Sequence, residues 1–156
     1  MNLVVQDELQ PGVVLDALLS CASQNIDQLR IAVAYTTLGG LDLLLPQWRQ
    51  RIGDAWDAIP KVLITSIDYG LTDPAALTRW VQQPNAAARI ANAHLLAQGH
   101  LRPARAFHPK LYLLDHGPHQ SCVMGSANLT RRAFTVNSEV IAVARGVPGI
   151  LAQPEW

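Results

Sequence analysis

Between residues 108 and 139 the chain sets out His108, Lys110 and Asp115, then Gly125-Ser126 and Asn128, then Glu139. On a strand, residues two apart project from the same face, so the imidazole of His108 and the ammonium of Lys110 converge on one point. A phosphate suits that point, because one group can act as nucleophile or proton carrier while the other neutralises phosphoryl oxygens. Gly125-Ser126 ends a strand-like run where backbone can approach closely, and Asn128 offers an amide donor. Glu139 opens another strand-like run, from which a carboxylate can hold the far nitrogen of His108 and fix its tautomer. In a chain of this composition, His, Lys and Asp at these offsets arise by chance at about 0.004 per chain, before the second half is required.

His108, Lys110 and Asp115, followed by Gly125-Ser126-Ala127-Asn128, resemble the HKD signature of the phospholipase D superfamily. The context FHPKLYLLD, GSANLT and Asn137-Ser138-Glu139 is most similar to its nuclease-type members, including metal-independent restriction endonucleases. The specific resemblance covers residues 107 to 145, and weaker likeness extends to AVAYTT (32 to 37) and ITSIDYGLTDP (64 to 74). Asp115 and Gly125 are farther apart than in the usual pattern, a difference that a longer hairpin loop absorbs. The family's active site pairs two motifs and this chain carries one, so the resemblance implies a symmetric homodimer.

It further implies that His108 of one subunit attacks phosphorus to give a phosphohistidine while His108 of the other protonates the leaving oxygen. Lys110 and Asn128 would stabilise charge on the phosphoryl oxygens, Ser126 would support the phosphate or the histidine, and Glu139 would orient His108. Asp115, at the far end of its strand, would hold the motif through hydrogen bonds. No metal and no cofactor are expected. The resulting expectation is a metal-independent phosphodiesterase, an endonuclease acting on nucleic acid and first of all on DNA. Two other readings use the same features: a phospholipid phosphodiesterase or phosphatidyl transferase, and an inactive nucleic-acid-binding dimerisation module. Relatives of this type also work beside a specificity or helicase domain, which would lie outside this chain.

Charge agrees with a local rather than a general phosphate site. The totals balance at 12 basic and 12 acidic residues, which gives no support to a broadly basic nucleic-acid binder. Yet Arg102, Arg105, Lys110, Arg131 and Arg132 face only Asp115 between residues 100 and 135, and Arg105, Arg131 and Arg132 are the candidate substrate-binding residues. Ten of the twelve basic residues are arginine, so few lysines compete with Lys110. His94, His100, His116 and His119 lack acidic or cysteine partners at ligand spacing. Cys21 and Cys122 lie far apart without a CxxC spacing and read as buried thiols.

The elements that must position this chemistry follow from apolar periodicity. Helical spacing marks 11–24, a segment from Leu41 to Ile52 after the break at Gly39-Gly40, and a helix capped by Asp73-Pro74 that carries Leu77, Trp80 and Val81. Strand-like runs occupy 29–36, 61–67, 110–115, 121–125 and 139–145, with a probable hairpin turn at 116–120. The alanine-rich stretch 85–98 favours a helix, and 130–134 a short one. The expected fold is therefore α/β, a mixed and mostly parallel sheet covered by helices on both faces, as in phospholipase D-like layers.

With 156 residues, 49% apolar and 15% charged, the chain suits one catalytic domain over residues 1–146, with 147–156 as a closing loop or linker stub. Disorder is excluded by the same figures. No apolar run approaches the ~20 residues of a membrane span, and residues 1–8 lack signal-peptide character, so the cytoplasm is the expected location and no membrane partner is foreseen.

Overall fold

The computed structural model describes residues 1–96, 98, 99, 102 and 105–148. In chain order the elements are β1 (Asn2–Gln6), α1 (Val13–Cys21), β2 (Gln28–Val33), α2 (Leu38–Ile52), β3 (Lys61–Ser66), α3 (Pro74–Val81), β4 (Ala86–Ala91), α4 (Ala93–Leu96), β5 (Lys110–His116), β6 (His119–Gly125), α5 (Arg131–Thr135) and β7 (Glu139–Pro148). The seven strands form one sheet in the order β1-β7-β6-β5-β2-β3-β4. The fold class is the expected one, an α/β domain on a mixed sheet. Its balance differs: only β2–β3 and β3–β4 are parallel, and the other four neighbouring pairs are antiparallel. The reason is the C-terminal half, where β5, β6 and β7 succeed one another without long helical crossovers and therefore reverse direction at each step.

One set of alternating strand residues, including Leu29, Ile31 and Val33 of β2, Tyr112 and Leu114 of β5, and Ile141 and Val143 of β7, enters the apolar core. Residues of α1, α2, α3 and α5 complete that core, so these four helices share one face of the sheet. Helices were expected on both faces. The opposite set of β2 and β5 residues instead includes Arg30 and Asp115, which bond to each other. Trp48, Trp56 and Trp80 are fully buried and serve packing, as their helical settings suggest. Trp156 lies outside the described residues. Cys21 and Cys122 are buried free thiols, and burial pushes the Cys122 thiol up to about 11.

Two strands were not legible as strands. The segment read as helix at 85–98 forms β4 instead, followed by the short α4. Alanine's helix preference amounts to less than ~1 kcal/mol per residue over most others, and here tertiary pairing overrides it. Asn85 turns the chain in the left-handed region at φ 52°, Lys61 N donates to Asn85 O at 2.9 Å, and Trp80 Nε1 donates to Ala87 O at 2.9 Å. β1 is a short edge strand held by buried Gln6, whose Nε2 donates to Ala133 O and Asn137 O at 3.0 and 2.9 Å while its Oε1 accepts from Val14 N at 3.2 Å.

Gly39-Gly40 do not break the pattern but lie inside the first turn of α2, which begins at Leu38 under the cap of Thr37. Gly40 is needed there because a Cβ on it would stand 2.7 Å from the Leu129 carbonyl carbon, whereas a Cβ on Gly39 would meet only the Arg131 side chain at ordinary contact distance. That close approach lets Thr37 N donate to Leu129 O at 3.1 Å and fastens the segment after β6 to the end of β2. β7 runs through Pro148, two residues past the boundary drawn from sequence, and residues 149–156 lie outside the described set. Among the described residues, no helix is long and apolar enough to cross a membrane.

Candidate active site

The sheet order and strand directions bring five chain segments to one end. β2 and β3 are parallel and finish together, near Tyr35 and Asp68 respectively. β5 runs against β2 with Lys110 opposite Val33, so β5 starts at that same end. β6 runs back and stops there at Gly125, and β7 starts there at Glu139. His108, Lys110, Ser126, Asn128 and Glu139 are thus gathered by strand direction alone, at the carboxyl ends of the parallel strands, where α/β sheets commonly bind ligands.

His108 is exposed, and Lys110 beside it is only 9% exposed. Lys110 Nζ stands 2.8 Å from His108 Nδ1, 3.1 Å from Nε2 and 3.1 Å from His108 O. A neutral imidazole has one acceptor nitrogen, so the ammonium donates to one ring nitrogen at a time and leaves the other to face a substrate. Burial lowers the Lys110 pKa, and the Glu139 carboxylate opposes that fall.

Buried Glu139 accepts a hydrogen bond from Ser126 Oγ and a long one of 3.5 Å from Asn137 Nδ2. Ser126 Oγ in turn accepts from Val140 N at 3.0 Å. The anticipated bond from His108 to Glu139 is absent within the chain among the described residues: Lys110 takes the ring nitrogens and Ser126 takes the carboxylate. Asn128, 7% exposed, accepts from Tyr35 N at 3.3 Å through Oδ1, which orients its amide while the Nδ2 hydrogens have no partner among the described residues. Tyr112 OH donates to Ala127 O at 3.1 Å and so pins the segment between Ser126 and Asn128. Burial, with Glu139 adding to it, pushes the Tyr112 hydroxyl well above the usual range, so this donor keeps its proton.

Arg131 and Arg132 are exposed at the start of α5 and line an open cleft of about 410 Å³ with Tyr35, Thr130 and Asn137. Arg105 is exposed on the approach to His108. Asp115 is not brought to this group. It sits at the opposite end of β5, five residues beyond Lys110, and binds Arg30 through two hydrogen bonds of 3.0 and 2.9 Å and Gln120 Nε2 at 2.6 Å.

Asp68 is not among the residues that the sequence predicts for the site. Its buried carboxylate accepts from Phe107 N at 3.1 Å and from Asn92 Nδ2 at 3.4 Å, and so fixes the strand entry that carries His108. No local signal marks this, because Asp68 and Phe107 are 39 residues apart.

Gly125 is the sharpest backbone requirement at the site. Its φ is 154°, and a Cβ there would overlap Val140 O, the acceptor of the 3.0 Å bond from Ser126 N. Gly125→Ala is expected to cost about 3 kcal/mol through steric overlap and backbone strain, read as a lower denaturant midpoint. An unchanged midpoint would show that the strand end relaxes without difficulty.

A mixed α/β sheet that gathers a histidine, a lysine, an asparagine and a serine–glutamate pair at one end is the arrangement of a PLD-like domain. The family described as "Cardiolipin synthase, PLD-like domain" matches residues 14–150, and the chain belongs to it. NucT from Helicobacter pylori is similar at a TM-score of 0.63 and 19% identity, with 91% of this chain and 82% of that one covered. Nuc from Salmonella typhimurium, a phospholipase D family member, gives 0.56 and 18%, with 94% and 86% covered. Yeast tyrosyl-DNA phosphodiesterase gives 0.52 and 12%, and this chain spans 92% of itself but 32% of that protein. Comparison with curated proteins finds no match.

Proposed function

We propose that the protein is a metal-independent endonuclease that hydrolyses nucleic-acid phosphodiesters, DNA first of all, in an active site shared by two copies. The observation that carries this reading is the exposed imidazole of His108 held by a buried ammonium, with the free amide hydrogens of Asn128 at the same sheet end. An unprotonated ring nitrogen of His108 attacks phosphorus, and the P–O bond to the leaving strand breaks. His108 of a second copy, entering as imidazolium, gives its proton to the departing oxygen. The same imidazole then takes a proton from water, which attacks the phosphohistidine, breaks the P–N bond and restores both histidines. Lys110 and Asn128 neutralise the charge that builds on the phosphoryl oxygens, a role other nucleases give to a metal. Arg105, Arg131 and Arg132 hold the flanking phosphates.

A second copy is required because one chain supplies one such histidine. Exposed apolar side chains support an interface near the site: Val5 pairs across the strands with Val140, and Leu3 and Met124 both lie opposite Ala142. These residues are neighbours on the sheet face away from the helices, and Val140 follows Glu139 directly. Such a patch is unusual on a monomer. Introducing Val140→Glu with Met124→Glu is expected to weaken self-association about 100-fold or more and to remove activity at dilute concentrations. Light scattering beside an activity assay checks this, and a dimeric, active double variant would move the interface elsewhere.

The family's description also names a lipid enzyme, which makes a phosphatidyl substrate the second reading. Cleavage of plasmid and single-stranded DNA in excess EDTA, with His108→Ala alongside, tests the first. A protein that leaves both DNAs intact but releases the headgroup of a short-chain phosphatidyl substrate would establish the second.

A further inference from the structure

A cavity of about 260 Å³ opens beside His108, at the end of β2 and β3. Its walls include Tyr35, Tyr69 and Phe107, the apolar Ala34 and Leu71, and the carboxylate-bearing Asp68. His108 forms part of its wall, which places it next to the reacting phosphate, but Lys110 and Asn128 do not line it, so charge stabilisation at phosphorus does not account for the rest of it. Its character is not that of a phosphate site: it is largely apolar and aromatic, and its one formal charge is negative.

Two features say what would fill it. Tyr69 is 55% exposed and its backbone is held in the left-handed region at φ 60°, a conformation uncommon for an aromatic residue and enriched at functional sites. An exposed ring at the mouth of an aromatic cavity offers a stacking surface for another planar ring. Asp68 is 8% exposed, and both hydrogen bonds to its carboxylate go to Oδ2. Its Oδ1 has no donor among the described residues. A carboxylate oxygen in an apolar cavity is matched by an N–H donor, and an exocyclic amino group of a base supplies one.

We propose that this cavity is a subsite for one unpaired, amino-bearing nucleobase next to the scissile phosphate, stacked on Tyr69 and bonded through its amino group to Asp68 Oδ1. The inference rests on the phosphodiesterase reading and deepens it: the substrate is a single strand, or a duplex from which one base has been turned out. A paired base cannot enter, because its amino group and both its faces are already engaged. Thymine and uracil lack the amino group and present carbonyl oxygens to the carboxylate. Adenine, cytosine and guanine bind in preference.

Binding and cleavage separate this subsite from the reaction itself. Fluorescence anisotropy with the His108→Ala protein, in EDTA, compares labelled oligo-dC, oligo-dT and an abasic oligonucleotide of equal length. Oligo-dC is expected to bind roughly tenfold more tightly than the abasic strand, with oligo-dT between them. Tyr69→Ala in the same background removes that advantage and Tyr69→Phe keeps it, because the ring face survives. Asp68→Asn retains an acceptor for Phe107 N yet erases the preference for dC over dT. With His108 intact, Tyr69→Ala raises KM on oligo-dC about tenfold at an unchanged kcat and leaves the abasic strand unaffected. Equal binding of oligo-dC and the abasic strand, or an effect of Tyr69→Ala on both alike, overturns the subsite. The base preference without cleavage of any strand by the His108 protein would retain the subsite and overturn the phosphodiesterase reading. A cavity that instead takes a phospholipid chain, seen as tighter binding to phosphatidylglycerol vesicles than to oligo-dC, also overturns it.

Discussion

Replacing His108 with alanine is expected to lower DNA cleavage in EDTA by about 10⁴-fold or more, while the melting temperature stays where it was. The large kinetic effect follows from His108 being the exposed nucleophile of the constellation: Lys110 and Asn128 are donors that stabilise charge, and the Ser126 hydroxyl is engaged with the buried Glu139 carboxylate. The small structural effect follows from exposure. Among the described residues the imidazole is bonded only to Lys110 Nζ, and that ammonium keeps the His108 carbonyl at 3.1 Å after the ring is gone. Single-turnover rates beside thermal melts read the two quantities. A His108→Ala protein with wild-type turnover would remove the phosphohistidine.

The same assay carries a signature of Lys110. Burial disfavours the charged amine and brings its pKa below that of an ordinary lysine. The ammonium is present below this lowered value and is lost as pH rises through it. Activity that depends on the charge falls on the alkaline side earlier than a solvent-exposed lysine would allow. That limb should vanish from the residual activity of Lys110→Met, and its persistence there would assign it to another group.

Asp115→Ala is expected to act in the opposite way, with the loss in stability rather than chemistry. Arg30 and Asp115 side chains are 9% and 17% exposed and share a two-pronged ion pair. Removing the carboxylate strands a buried guanidinium and also deprives Gln120 of its 2.6 Å acceptor. Breaking a buried pair from one side costs about 3 to 5 kcal/mol, or roughly 10 °C in melting temperature for a chain of this size. Folded protein should keep its turnover, since Asp115 lies at the far end of β5. Arg30→Met combined with Asp115→Leu should recover much of the loss, because the apolar pair leaves no buried charge unmatched. A normal melting temperature with reduced turnover would instead give Asp115 a part in the site.

The local pattern said a good deal about this protein. His108 and Lys110 are two apart at the start of a strand, and pleating alone places them together. The apolar runs around β2, β3, β5, β6 and β7 announced a sheet, and the alternation of helices among the first of them announced an α/β domain. Those are short-range properties, set by the side-chain period of the chain.

What lay out of reach was every feature that depends on a partner distant in sequence. The alanines of β4 prefer a helix in isolation and become a strand because β3 offers an unpaired edge. Gly39-Gly40 look like a break until Leu129 is seen against Gly40. Glu139 seemed aimed at His108, but Ser126 meets its carboxylate first, and Asp68 reaches Phe107 across 39 residues. The residue types and spacing of the chemistry were thus determined by sequence. The direction of each strand, the free edge of the sheet and the contents of the cavity beside His108 were decided by tertiary structure, because long-range pairing energies exceed the fractions of a kcal/mol that govern local preference.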